Sequence, residues 1–292
     1  MSQLEHLLNV QNVLGEGPLW NARQQALYWL DIKQSQLFSY APAQNEVKCY
    51  DVHPALTAFG FCADGRLITA GLGGFAFWDA TTGRLEALGD PEADRPATRF
   101  NDGAVDPGGR FWAGTMNEAE GTSPLHALYR LDADRTIRTM IDDVMLSNGI
   151  GWSPDQKIMY FSDTGRRQIL KFDYDLSSGA IHNRQIYTGF LDDDGSPDGL
   201  TVDSEGCVWC AMWDGAKVIR FSPAGERLSE VAMPVSRVTS CAFGGERLDE
   251  LYITTASFAL SPEERQRQPL AGDLFRLKTD TTGLPEPLFA GC

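Results

Sequence analysis

Cations are scarce in this chain: 25 Lys and Arg stand against 40 Asp and Glu over 292 residues, a formal charge of −15. No block of Lys or Arg could follow a phosphate backbone, so nucleic acid and anionic membrane surfaces are not expected as partners. No stretch reaches the roughly 18 apolar residues of a membrane span. The opening residues, Met1 to Val10, lack the basic and then apolar regions of a signal peptide, and a cytoplasmic location is expected.

Metal-binding nitrogen and sulfur are also thin. His6, His53, His126 and His182 share no register, and Cys49, Cys62, Cys207, Cys210, Cys241 and Cys292 show no disulfide-framework spacing, so disulfides are not expected. Cys207-Val-Trp-Cys210 has the form of a CxxC, but it lies in a strand pattern, where residues three apart face opposite sides. It reads as two buried small side chains rather than a redox or zinc site. No Gly-x-Ser-x-Gly elbow, Walker loop or nucleotide fingerprint occurs. Sustained helical periodicity is missing too; the best candidate is the short Ser261-Pro262-Glu263-Glu264 stretch, with a Ser cap and Pro at the first helical position.

What recurs instead is a unit of polar residue, glycine, a few apolar residues, a tight polar turn and an aromatic strand. Clear copies run from Glu16-Gly17-Pro18, Asn101-Asp102-Gly103, Asn148-Gly149-Ile150 and Asp198-Gly199-Leu200, with weaker ones at Ala58-Phe59-Gly60 and Thr239-Ser240-Cys241. The copies start roughly 40 to 50 residues apart, the period of a four-stranded propeller blade. A second alternating hairpin follows each, as in Gln36–Tyr40 with Glu46–Tyr50. The expectation is an all-β fold, a six-bladed β-propeller of four-stranded blades, with residues 1–292 as one domain. The segment 1–14 should supply an outer strand to the last blade beside Leu274–Leu277.

The turns open at Asn21, Asp106, Ser153 and Asp203, and the residue five positions earlier is Glu16, Asn101, Asn148 or Asp198. The first strand of each propeller blade lines the central channel, so one register of successive blades meets at one mouth. Two carboxylates and two amides would converge there, the composition of a hard-cation site. Arg99, two residues before Asn101 on an extended backbone, points the same way, and its fork of donors suits a polyhydroxylated or anionic small molecule. A divalent ion open on one side supports hydrolysis of an ester, lactone or phosphoester with a neighbouring carboxylate as base. The residues alone leave Glu16 and Asp198 both open for that task. Asp102, Asp163 and Asp214 read as turn or outer residues, and the insertion 116–125 as a lid or a solvated loop.

At these residues the chain resembles the senescence-marker-protein/gluconolactonase family, which includes regucalcin and bacterial sugar lactonases. The similarity runs through GEGPLW at 15–20, RFNDGAVDPGGRFWAGTM at 99–116, SNGIGWSPD at 147–155, SDT at 162–164 and SPDGLTVDSEGCVW at 196–209. SPEERQRQPLAGDLF at 261–275 is similar to the bacterial aldonolactonases. The resemblance implies one divalent cation (calcium, zinc, manganese or magnesium) held by Glu16, Asn148 and Asp198, with Asp198 also the general base. It further implies substrate contacts from Arg99 and Asn101, and from Glu118 in the loop after AGTM. The implied activity is hydrolysis of a sugar lactone, such as glucono-, xylono-, arabinono- or galactonolactone, to the aldonic acid. Two alternatives stand beside it: a metal-dependent phosphotriesterase or arylesterase, and a non-catalytic calcium-binding regulator.

Overall fold

The computed structural model describes residues 4–117 and 126–292, and in them six antiparallel sheets follow one another around a ring. The inner strands are Gly15–Asn21, Leu56–Cys62, Thr98–Val105, Ser147–Trp152, Ser196–Val202 and Val238–Gly244. Each packs against the next and the sixth returns to the first. This is the expected six-bladed β-propeller, numbered here as blades 1 to 6 in that order. Leu4–Leu8 pairs antiparallel with Leu274–Lys278, so the two ends of the chain close the ring in blade 6 by strand hydrogen bonds.

Aromatic and branched side chains drive this arrangement, because a strand rich in them gains most when both faces are covered. Among the described residues the buried apolar side chains sort into six clusters, each lying between two neighbouring blades. Blade 4 meets blade 5 through Tyr160, Tyr187, Val208 and Phe221, for example, and blade 6 meets blade 1 through Tyr252 and Trp20. Burying one such aromatic is worth about 2–3 kcal/mol, which makes the blade interfaces the main stabilising element.

Buried acids fix one end of blades 1, 3, 4 and 5. At the far end, Asp106 accepts from Arg110 N and Trp112 Nε1, and Asp203 accepts from Cys207 N and Trp209 Nε1, so turn and second strand are locked together. At the mouth, Asp31 accepts from Val13 N and Leu14 N, while Asp163 accepts from Leu146 N and Arg166 N. Those carboxylates tie down the segment that leads into an inner strand.

Beyond Lys278 the chain crosses the far end of the ring. Ser204 N donates to Thr282 O, Gly283 N to Leu248 O and Ala290 N to Gly109 O, and Leu288–Phe289 adds a short parallel strand to blade 2. Cys292 then closes a disulfide with Cys62 of the blade 2 inner strand. This corrects the expectation of no disulfide: the two cysteines are 230 residues apart in sequence, and only ring closure brings them together. Cysteine spacing is therefore no guide to the compartment. Cys207 and Cys210 are free and buried, as their strand position implied. The expected short helix forms at Pro262–Arg267, with Ser261 accepting from Glu264 N as its cap. Among the described residues no helix is long and apolar enough to cross a membrane.

Candidate active site at the channel mouth

Each inner strand is irregular where it leaves the mouth. In blades 3, 4 and 5 two residues oppose one on the second strand: Asn101 and Asp102, Asn148 and Gly149, and Asp198 and Gly199. Such bulges re-aim side chains out of the ladder, here toward the axis. Blade 1 differs by one position, because Glu16 is still paired with Leu30 and the bulge falls on Gly17 and Pro18. Gly17 takes a left-handed φ of 54°, which turns the chain and lets the Glu16 carboxyl accept from Gly17 N at 3.0 Å. In blades 2 and 6 the irregularity is a single threonine, Thr57 or Thr239, whose hydroxyl is spent on nearby backbone carbonyls.

The glycine of the repeat has a steric origin. A Cβ on Gly149 would stand 2.5 Å from Leu200 N and 2.7 Å from Asp198 O, and one on Gly199 would meet Ser240 Oγ at 2.1 Å. Neighbouring inner strands come so close at this level that only glycine fits behind Asn148 and Asp198, whereas Gly17 behind Glu16 has open space and is required by its left-handed φ instead.

Hydrogen bonds separate the four residues selected by register. Asn101 is used at both ends of its amide: its Oδ1 accepts from Arg99 Nη1 at 3.0 Å and its Nδ2 donates to Ser147 O at 2.8 Å. Asn148 donates Nδ2 to Thr164 Oγ1 at 3.1 Å, and Thr164 in turn donates to Pro197 O of the next blade. That leaves Asn148 Oδ1, together with Asp198 Oδ1, buried without a hydrogen-bond partner. Orphaned buried oxygens are costly unless something absent from the hydrogen-bond network satisfies them.

The electrostatics point the same way. Burial, and after it the charge of Asp102, pushes the Glu16 carboxyl up to about 8. Burial alone raises Asp102 to about 6. Asp198 stands well above the ordinary carboxylate range, first from burial and then from the charges of Glu16 and Asp102, with the Asn148 amide and Gly199 N–H opposing. Three buried acids with raised proton affinity, beside two unpartnered oxygens, form a donor set that fits a hard divalent cation. Among the described residues the only His, Cys, Asp or Glu trio with ligand atoms all within 4.8 Å is Cys62, Asp64 and Cys292, where the sulfurs are already bonded to each other. The oxygens of Glu16, Asp102 and Asp198 therefore do not all lie within 4.8 Å of one another.

Sequence reasoning placed Asp102 among turn or outer residues, whereas the fold couples it to Glu16 and Asp198 and sets it on the wall of a cavity of about 380 Å³ in the channel below. Its place between Asn101 and the glycine of the repeat was the available signal. Glu286, brought to that cavity from the C-terminal crossing, had none, because it lies outside the repeat. Asp163 is a backbone tie, and Asp214 is exposed and paired with Arg237. Glu118, read from sequence as a substrate contact, and residues 118–125 of the insertion 116–125, read as a lid or a solvated loop, lie outside the described residues.

Residues 14–257 match the family described as SMP-30/Gluconolactonase/LRE-like region. The chain is 38% identical to a 6-deoxy-6-sulfogluconolactonase of Pseudomonas putida over 99% of both chains, and 33% identical to a regucalcin of Danio rerio, again over 99% of both. A solved structure described as a calcium-binding protein, regucalcin, from Agrobacterium tumefaciens is similar with a TM-score of 0.92 and 26% identity, covering 97% of this chain and 96% of that one.

Proposed function

The chain belongs to the SMP-30/gluconolactonase/LRE-like family, and on that premise we propose that it hydrolyses a sugar lactone to the aldonic acid at a divalent-cation site made by Glu16, Asn148 and Asp198. The observation that carries the proposal is the pair of orphaned oxygens, Asn148 Oδ1 and Asp198 Oδ1, beside two further acids. A bound divalent cation would supply polarisation of the lactone carbonyl and a lower pKa for water nearby.

The chain's own groups do the rest. Arg99 and Asn101, already joined at 3.0 Å, present donors and an acceptor to the sugar hydroxyls and orient the ring. Asp198 takes the proton of the water that adds to the carbonyl carbon. The ring C–O bond then breaks, and the departing alkoxide takes up a proton to give the hydroxy acid, so one water is consumed. Thr164 holds Asn148 in place through its amide nitrogen, which keeps the amide oxygen turned to the cluster. Asp102 acts through Glu16 and Asp198 as a positioning residue.

The lactonase-named relative supports the substrate class, and the regucalcin relatives keep a non-catalytic cation-binding role as the rival. One assay separates them: acid release from glucono-, xylono-, arabinono- and galactonolactone by chelator-stripped protein, with and without calcium, zinc, manganese or magnesium, corrected for spontaneous hydrolysis. Cation-dependent turnover lost in Asp198→Asn supports the lactonase. Cation binding without turnover on any lactone favours the rival.

A further inference from the structure

The far end of blade 2 brings sulfur and carboxylate together on one tight turn. Cys62, the last residue of the inner strand Leu56–Cys62, donates its backbone N–H to Arg66 O at 3.0 Å and accepts from Gly65 N, so Asp64 stands two residues on, inside that turn. The Asp64 carboxylate accepts from Arg66 N at 3.0 Å and from Arg66 Nε at 2.8 Å. Arg66 is itself fixed, with its guanidinium 4.2 Å over the Phe77 ring and its Nη1 3.3 Å from Glu86. The carboxylate is thereby aimed, and each of its oxygens keeps a lone pair for a further partner.

Cys292 arrives from the C-terminal crossing, and backbone pairing holds it there independently of its sulfur. Phe289 is the register partner of Cys62 in the short parallel strand, its ring is buried in the cluster between blades 2 and 3, and Ala290 N donates to Gly109 O at 2.9 Å. Cutting the S–S bond leaves Cys292 three residues from that anchor, with its thiol still beside Cys62. The two sulfurs and an Asp64 oxygen lie within 4.8 Å of one another. On a tetrahedral ion with bonds of about 2.0–2.3 Å, neighbouring donors stand about 3.3–3.8 Å apart, so the trio can enclose one once the sulfurs are free to part. Asp64 and Cys292 are exposed, which gives an ion a way in and leaves its fourth position to water.

We propose that the reduced protein holds one thiophilic divalent cation of the zinc class between Cys62, Asp64 and Cys292, and that oxidation of the two sulfurs expels it. Reduction by a small dithiol breaks the S–S bond: the reagent becomes its own disulfide, and its two hydrogens pass to the Cys62 and Cys292 sulfurs. The cation takes both as thiolates, and two protons leave to water. In the reverse direction a disulfide oxidant takes up the two electrons and becomes two thiols, the S–S bond re-forms and the cation departs. Two thiolates select against calcium, magnesium and manganese, the hard ions that oxygen donors suit. The C-terminal crossing, whose residues 284–287 line the channel cavity, is thus tied to blade 2 in either redox state.

The test titrates chelator-stripped protein with cadmium after phosphine reduction and reads the thiolate-to-cadmium absorption. The band grows to one equivalent per chain, is competed by zinc, and persists in about a hundredfold excess of calcium. It is missing from the oxidised protein and from Cys292→Ser, and Asp64→Asn weakens binding by about tenfold. Cys49→Ser, which removes the exposed free thiol, keeps the band. So does Asp198→Ala, which removes the proposed cation site at the mouth, and the outcome is therefore independent of the lactonase reading. Melting gives a second readout in that background: zinc raises the Tm of reduced Asp198→Ala and leaves that of Asp198→Ala with Cys292→Ser unchanged. No band in the reduced wild type, a band of full strength in Cys292→Ser, or one lost in Asp198→Ala overturns the proposal.

Discussion

Asn148 and Asp198 occupy matching bulges on adjacent inner strands, with the Asn148 amide against the Asp198 carboxyl and one oxygen of each buried without a partner. Thr164 secures the pair by accepting from Asn148 Nδ2 and donating to Pro197 O, the residue just before Asp198. A main-chain irregularity repeated by the propeller is thereby turned into a two-point oxygen clamp. The consequences are measurable.

Cation stabilisation depends on pH. Glu16 and Asp102 have carboxyls raised to about 8 and about 6, so in stripped protein their contribution to stability is full at low pH and is lost as pH rises through those values. A divalent cation held at the proposed site would bind the ionised forms and reverse that loss. At a concentration of 100 times Kd it adds about 2.7 kcal/mol. The rise in Tm on adding calcium or manganese is therefore larger at pH 8 than at pH 5, and Asn148→Ala reduces it; an equal rise at both pH values contradicts the cluster.

Gly149→Ala disturbs the clamp through the backbone. Its Cβ meets Leu200 N at 2.5 Å and Asp198 O at 2.7 Å, main-chain atoms of the next blade that cannot swing aside. The expected loss is about 1–3 kcal/mol with weaker cation binding. Gly189→Ala, with nothing near its added methyl, is the control and stays within about 0.5 kcal/mol by denaturant unfolding.

Cys292→Ser releases the C-terminal crossing. The disulfide closes a loop of 230 residues, and its loss costs about 2–5 kcal/mol. Wild-type protein in strong reductant matches the variant in Tm, while the oxidised wild type melts higher. Identical melting of all three samples contradicts a bonded pair.

Glu286 lines the channel cavity, and burial raises its carboxyl to about 7. A raised carboxyl stabilises the fold below its unfolded value and loses that contribution as pH climbs to the folded value, here between roughly 4.5 and 7. Glu286→Gln removes the dependence, so the variant gains about 1–3 kcal/mol on wild type at pH 8 relative to pH 4.5. Parallel pH–stability curves for the two proteins count against a buried Glu286.

The repeat was legible because every blade solves the same packing problem. The close approach of inner strands writes a glycine after Asn148 and Asp198, and the far-end turns write an acid six residues before a tryptophan, as in Asp106 with Trp112 and Asp203 with Trp209. Glu16, Asn101, Asn148 and Asp198 followed from counting back from those turns. Counting did not tell the two asparagines apart, since that depends on Arg99 and Thr164, which lie outside the unit. Nor did it mark Asp102, which stands one position off the counted register and read as a turn or outer residue; a bulge there suspends strict alternation. The disulfide and Glu286 were illegible because the C-terminal crossing has no counterpart in other blades.

The most direct test of the central claim is to titrate chelator-stripped protein with manganese or calcium while recording bound ion and lactone turnover in the same samples. The account predicts that turnover rises in proportion to occupancy and saturates at one ion per chain, and that Asp198→Ala abolishes both. Turnover that is complete before any ion binds, or that survives in Asp198→Ala, would contradict it.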